Sequence, residues 1–194
     1  MSRQRPDQPP AKPPMRADAR RNREKLVEVA AKAFAEQGAV ASLEDIARRA
    51  GVGIGTLYRH FPTREHLVET AYRRELELLA TAATELMAEY GPAAALEEWM
   101  NRFVSYMATK RGMASSLKLL FTSNATLFTE GSTLLLKTFE RLLDNAVKTN
   151  AIKDDINAAD VLSALFGIYS IPEGPEWRDR AHRLVRLVMD GLRR

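Results

Sequence analysis

Apolar positions along this chain recur at spacings of three and four, not two, so its long segments read as helices. Leu26, Val29, Ala30, Ala33 and Phe34 make one apolar face of a helix predicted over 18–37. A short helix is expected over 42–50, opened by Ser42 and Asp45 in a capping-box arrangement. Another is expected over 54–60. A long one follows Pro62, with Thr63 as its N-cap, and reaches Tyr90. Five more are predicted at about 92–111, 113–128, 132–150, 157–171 and 175–193. The breaks fall mostly at Gly38, Gly91, Gly112, Gly131 and Gly174, the residue type that commonly ends helices. The pattern therefore predicts an all-α fold of about nine helices. No alternating strand pattern and no internal repeat is evident.

Residues 42–61 read SLEDIARRAGVGIGTLYRHF. Ile46, Ala47 and Ala50 form an inner face, and the small Ala47 lets a second helix cross closely. Gly51 stands where the chain must turn sharply and positive φ is favoured. Val52 then plugs the gap, while Leu57 and Phe61 anchor the second helix to the core. Ile54, Gly55, Thr56, Tyr58, Arg59 and His60 are left largely outward, on a helix short enough to enter a major groove. An ordinary helical hairpin with a glycine turn would show much of the same pattern. Gly51, Gly53 and Gly55 do not make a phosphate-cradling loop. A helix precedes them, and the Gly-Lys-Ser/Thr ending is missing.

Charge sharpens this picture. The net charge of +4 is uneven: the first 60 residues carry 12 Lys/Arg against 7 Asp/Glu, and the remainder 17 against 18. A basic front end on a near-neutral body suits a polyanionic partner, although charge kept for solubility would look similar. Five of the nine prolines lie within the first fourteen residues, so residues 1–15 are expected to be a disordered basic tail. Cysteine is absent, which excludes disulfides, thiolate metal sites and cysteine nucleophiles. The longest uncharged run, 161–172, has 12 residues and is too short for a membrane span. With no apolar leader after Met1, a cytoplasmic location is expected.

The run from Ala30 to Tyr72 resembles the DNA-binding domain of tetracycline-repressor (TetR) type regulators. Its signature is represented by Gly55, Thr56, Leu57, Tyr58, His60, Phe61, Thr63, Arg64, Glu65 and Leu67. Arg64 stands where many members carry lysine, which preserves the cation. The resemblance implies a helix-turn-helix unit over 16–62 and a larger ligand-binding and dimerising helical body over 63–194. It also implies a sequence-specific transcriptional regulator, most readily a ligand-released repressor acting as a homodimer on palindromic operator DNA. Carried onto this chain, it makes 54–60 the recognition helix. Tyr58 and His60 then contact phosphates or a thymine methyl, and Thr56, with Ile54 and Gly55, contacts bases. Ser42, Thr63 and Arg64 hold the backbone, and Arg59 is the one long cation of the recognition helix. Arg16, Arg20, Arg21 and Arg23 would either extend into a minor groove or form a solvated charge run.

For the body, the resemblance places an effector pocket among the fourth to seventh helices. Trp99, Met100, Phe103, Tyr106, Met107, Phe121, Phe128 and Phe139 are its candidate lining, and core packing is the competing role for each. With no buried charge evident in the sequence, a small hydrophobic or aromatic effector is expected, and no cofactor. Leu162, Leu165, Phe166, Tyr169, Trp177, Leu184, Val185 and Val188 are the candidate dimer interface, on two helices whose stripes could instead be buried within one subunit.

Catalysis finds little support. His60, His66 and His182 have no metal-ligand company, and the adjacent carboxylates Glu97–Glu98 and Asp154–Asp155 do not face each other across a cleft. A nucleoid-type binder without ligand control would need no such large aromatic-bearing body.

Overall fold

The computed structural model describes residues 14–172 and 174–194. The tail expected over 1–15 lies outside these, apart from its last two positions. Pro14 and Met15 open the first helix, where proline costs no intrahelical hydrogen bond. The helices are α1 (Pro14–Gln37), α2 (Leu43–Ala50), α3 (Ile54–His60), α4 (Arg64–Glu89), α5 (Pro92–Gly112), α6 (Ala114–Ser123), α7 (Ala125–Lys148), α8 (Ala158–Phe166) and α9 (Trp177–Leu192). Short 3-10 turns follow α1 and α8, over Gly38–Val40 and Gly167–Ser170. Among the described residues no strand forms beyond an isolated bridge between Ile152 and Arg193.

One hydrophobic core runs through the molecule, from Leu26 on α1 to Leu192 on α9. Two elements carry it across from the N-terminal unit to the body. The first is α4, whose early residues Leu67, Val68 and Ala71 join the buried cluster of α1, and whose later Leu79, Ala83 and Leu86 join that of the body. The second is α5, which lies against both α1 and α4. It approaches α1 closely at Gly112. A Cβ there would stand 2.5 Å from the carbonyl carbon of Phe34 and 3.2 Å from the Cα of Gly38, so only glycine fits.

Two of the expected boundaries move because of packing or backbone geometry the pattern does not show. Gly131, expected to separate the sixth and seventh helices, lies inside α7. A Cβ at that position would come within 2.8 Å of Leu76 Cδ1 and 3.1 Å of the Tyr72 hydroxyl, so the glycine serves the crossing of α7 over α4. The break falls at Asn124 instead. Its backbone leaves helical geometry (φ −145°, ψ 68°) and its side chain accepts from the Leu127 amide at 3.3 Å. The eighth helix ends at Phe166, earlier than expected, because the chain tightens into the 3-10 turn.

Candidate nucleic-acid interface

The geometry of α2 and α3 follows from local chemistry. Ser42 caps α2 by accepting from the Asp45 amide at 3.0 Å. Gly51 ends the helix in the left-handed region (φ 70°, ψ 30°), and the Val52 amide donates back to the Ala47 carbonyl at 3.0 Å. Gly53 then opens α3, receiving the Thr56 amide at 2.9 Å. Leu57 and Phe61 are fully buried, as are Ile46, Ala47 and Ala50 across from them.

What remains outside is the predicted face. Ile54 is 38% exposed and Tyr58 45% exposed. Gly55 and Arg59 are open, and Thr56 and His60 are half-buried. Arg59 folds back along its own helix, donating to the Gly55 carbonyl and to Thr56 Oγ1, both at 3.2 Å. Thr56 therefore presents its hydroxyl already engaged by a cation.

The supporting contacts are ionic as well as apolar. Asp45 accepts from Arg48 and from Gln37 at 3.2 Å and meets Arg49 at 2.6 Å, while Arg49 also reaches Glu36 at 2.7 Å. These hydrogen bonds, that from Arg48 foremost, hold the Asp45 carboxyl below its usual range. Together they fasten α2 to the end of α1. Thr63 caps α4, accepting from the His66 amide at 3.2 Å. The Arg23 guanidinium lies 5.0 Å from the Phe61 ring centre, and Arg20 and Arg21 pair with Glu24 and Asp18 on their own helix.

Arg64, expected from the resemblance to hold the DNA backbone, is engaged within the chain. Its guanidinium turns inward over the Phe34 ring (5.1 Å) and donates to the carbonyls of Ala41 (2.6 Å) and Ala39 (3.3 Å). Those carbonyls belong to a connection with no helical partner of its own, and a half-buried cation satisfies them. Arg64 thus positions the segment that carries Ser42. Among the described residues no cluster of His, Asp and Glu could hold a metal ion.

Residues 26–71 match the model of bacterial regulatory proteins of the tetR family. Residues 91–194, over half of the chain, match the C-terminal domain of SbtR-like transcriptional regulators. The chain belongs to the TetR family. It is similar to a TetR transcriptional regulator of Streptomyces coelicolor, with a TM-score of 0.80 and 43% identity over 88% of this chain and 98% of that one. A TetR transcription regulatory protein of Mycobacterium vanbaalenii gives a TM-score of 0.74 at 32% identity, covering 93% and 100%. An HTH-type transcriptional regulator of Staphylococcus aureus is 38% identical over 77 residues, which is 39% of this chain and 42% of that protein. This TetR-family member is accordingly a DNA-binding transcriptional regulator and not an enzyme. No helix among its described residues is long and apolar enough to cross a membrane.

In the body of this TetR-family chain, seven of the eight candidate pocket residues are packed as core. Trp99, Met100, Phe103, Met107 and Phe139 are fully buried, and Tyr106 and Phe128 nearly so. Trp99 Nε1 donates to the Leu79 carbonyl at 2.8 Å, and its ring sits 5.9 Å from Phe103 and 5.5 Å from Phe139. Phe121 is the exception: it is exposed and stacked flat on Phe128. One half-buried cation is not evident from the sequence pattern. Lys110 Nζ lies 5.4 Å from the Phe166 ring centre and 6.0 Å from that of Tyr106, and burial pushes its pKa down. Beside it the Tyr106 and Tyr72 hydroxyls meet at 3.5 Å. Helical spacing alone could not show which side of α5 this lysine occupies.

The eight candidate interface residues divide. Leu162, Leu165, Trp177 and Val185 are buried inside the subunit, and Phe166 and Val188 are half-buried. Tyr169 and Leu184 remain 41% and 37% exposed. Leu187, absent from the predicted stripe, is 66% exposed and extends theirs along α9. A stripe can face a neighbour within the chain or a partner outside it, and spacing does not distinguish the two.

Proposed function

We propose that this TetR-family regulator is a homodimeric repressor that inserts one α3 per subunit into successive major grooves of a palindromic operator and leaves it when an effector binds the body. One observation supports this above the others. The apolar anchors Leu57 and Phe61 point inward, so Ile54, Gly55, Thr56, Tyr58, Arg59 and His60 form an exposed to half-buried face whose side-chain hydrogen bonds, among the described residues, stay within its own helix. Ser42 and Thr63, as caps, and Arg64, as a clamp, fix its flanks.

Dimerisation would use Tyr169, Leu184, Leu187 and Val188, with the small exposed residues Ser163, Ala164 and Gly167 of α8 and the turn after it allowing close approach. An apolar or aromatic effector would enter by parting the rings around Tyr72, Tyr106 and Phe166, where the packing already contains hydroxyls and the Lys110 ammonium. A cytoplasmic site of action goes with this role. The test is selection of bound DNA from a random library by the purified protein, followed by titration. An inverted repeat with half-sites about one helical turn apart should emerge, bound roughly 10³-fold or more tighter than bulk DNA. Uniform affinity across sequences would instead make it a packaging protein.

A further inference from the structure

A cleft of about 320 Å³ opens where the DNA-binding unit meets the body, between the end of α1, the end of α5 and the start of α9. Three features of its α9 side point to a ligand. The Trp177 indole is 7% exposed, yet its Nε1–H has no acceptor among the described residues, an uncommon state for a buried donor. Helix α9 begins at that residue without a side-chain cap; the Trp177 amide donates to the Gly174 carbonyl at 3.1 Å, and the next amides and the positive dipole end of the helix lie beside the indole. Arg178 comes next, with its guanidinium 5.9 Å from the Trp177 ring centre and no carboxylate partner among the described residues.

The other charged residues lining the cleft are already engaged. Arg111 lies 4.9 Å from the same ring but donates to the carbonyls of Tyr169 and Ile171. Glu36, on the α1 wall, is held by Arg49 at 2.7 Å. Phe34, Ala35 and Ala108 make the facing wall apolar. We propose that this cleft binds a small aromatic carboxylate. Its anionic head lies on Arg178, the Trp177 Nε1–H and the start of α9, and its ring lies against Phe34, Ala35 and Ala108. The site is separate from the ring cluster around Tyr106. Because such a ligand touches α1, α5 and α9 together, its binding biases how α3 is presented, a consequence that rests on the function proposed above.

The chain has two tryptophans, and Trp99 is fully buried, so emission from Trp177 reports the cleft. The full-length protein is titrated, at constant ionic strength, with benzoate, neutral benzamide and inorganic phosphate. Benzoate should give a saturable emission change with a Kd on the order of 1 mM, as suits a fragment of its size. Benzamide, phosphate, and benzoate on Arg178→Gln should each bind about tenfold more weakly or worse. The change should vanish in Trp177→Phe, and calorimetry with Arg178→Gln, an exposed position, covers the case in which Trp177→Phe is unstable. No saturable signal up to about 50 mM benzoate would overturn the site, as would equal affinity for benzamide or phosphate, or an unchanged Kd in Arg178→Gln. Operator affinity at saturating benzoate should shift at least threefold in wild type and not in Arg178→Gln. Benzoate binding without that shift removes the regulatory consequence and leaves the site. Benzoate binding by a protein that binds no operator overturns the proposed function, not the cleft.

Discussion

Replacing Gly112 by alanine probes the seam between the DNA-binding unit and the body. The added Cβ would stand 2.5 Å from the carbonyl carbon of Phe34, where carbon atoms normally rest about 3.5–4.0 Å apart. The two helices must therefore separate by roughly 1 Å or more, since the obstructing atoms are backbone and cannot rotate away. Overpacking of this kind costs about 1–3 kcal/mol. For a chain of this size that corresponds to a Tm lower by about 2–12 °C. The apolar stripe of α9 lies elsewhere, so the proposed dimer should persist. The recognition helix should not keep its pose, because α1 carries α2 and α3 through their shared core. Operator affinity should then fall by more than the reduced stability explains, measured by fluorescence anisotropy at a temperature where circular dichroism shows the variant fully folded. Wild-type melting together with wild-type operator affinity would refute the close approach of α5 to α1.

Other residues give sharper, narrower outcomes. Arg59→Ala should flatten the log–log salt dependence of operator binding by about 0.9 for each phosphate the arginine no longer neutralises, whereas Tyr58→Ala should weaken binding about 5- to 30-fold with the slope unchanged. Arg64→Ala should lower stability by about 1–3 kcal/mol, since the carbonyls of Ala39 and Ala41 lose their charged donor; an unchanged Tm would mean that this cation serves only DNA. Sedimentation of Leu187→Glu should show a folded monomer, while Leu165→Glu, inside the subunit, should fail to fold. A stable dimer of Leu187→Glu would remove α9 from the interface. Lys110→Met should raise Tm at pH 7. Burial holds the folded pKa of Lys110 below the ordinary 10.5, so the unfolded chain binds that proton more tightly. The penalty is complete below the folded pKa and disappears above 10.5. The gain should therefore shrink as pH rises through that window, and a gain independent of pH would place its origin elsewhere.

The parts of this molecule that are legible in the sequence are those decided within a few residues of chain. Ser42, Gly51 and Thr63 cap or turn the backbone using atoms at most five residues away, so the helix-turn-helix can be placed to the residue. Leu57 and Phe61 mark the inner side of α3, and the outer side follows. What stays hidden depends on partners distant in sequence. Gly131 reads as a breaker until Leu76 and Tyr72 are seen against it. Arg64 reads as a free cation until the carbonyls 23 and 25 residues earlier claim it. The stripe of Leu162, Leu165 and Val185 is as apolar as an interface should be, and only the completed fold shows it covered from within. Phe103 and Tyr106 are equally ambiguous, because a core and a ligand site are built from the same side chains.

The junction at Gly112 also limits how freely this regulator can be rebuilt. Recombining the N-terminal unit of one regulator with the body of another treats the two as interchangeable cassettes, with the natural cut in the turn before α4. In this chain such a cut would leave Phe34 and the start of the 3-10 turn on one cassette and Gly112 on the other. A recipient body with any side chain at the position of Gly112 would reject the graft. Hybrids should succeed where the donor cassette and the recipient α5 are exchanged as a matched pair, which makes the unit of inheritance for DNA binding larger than the helix-turn-helix itself.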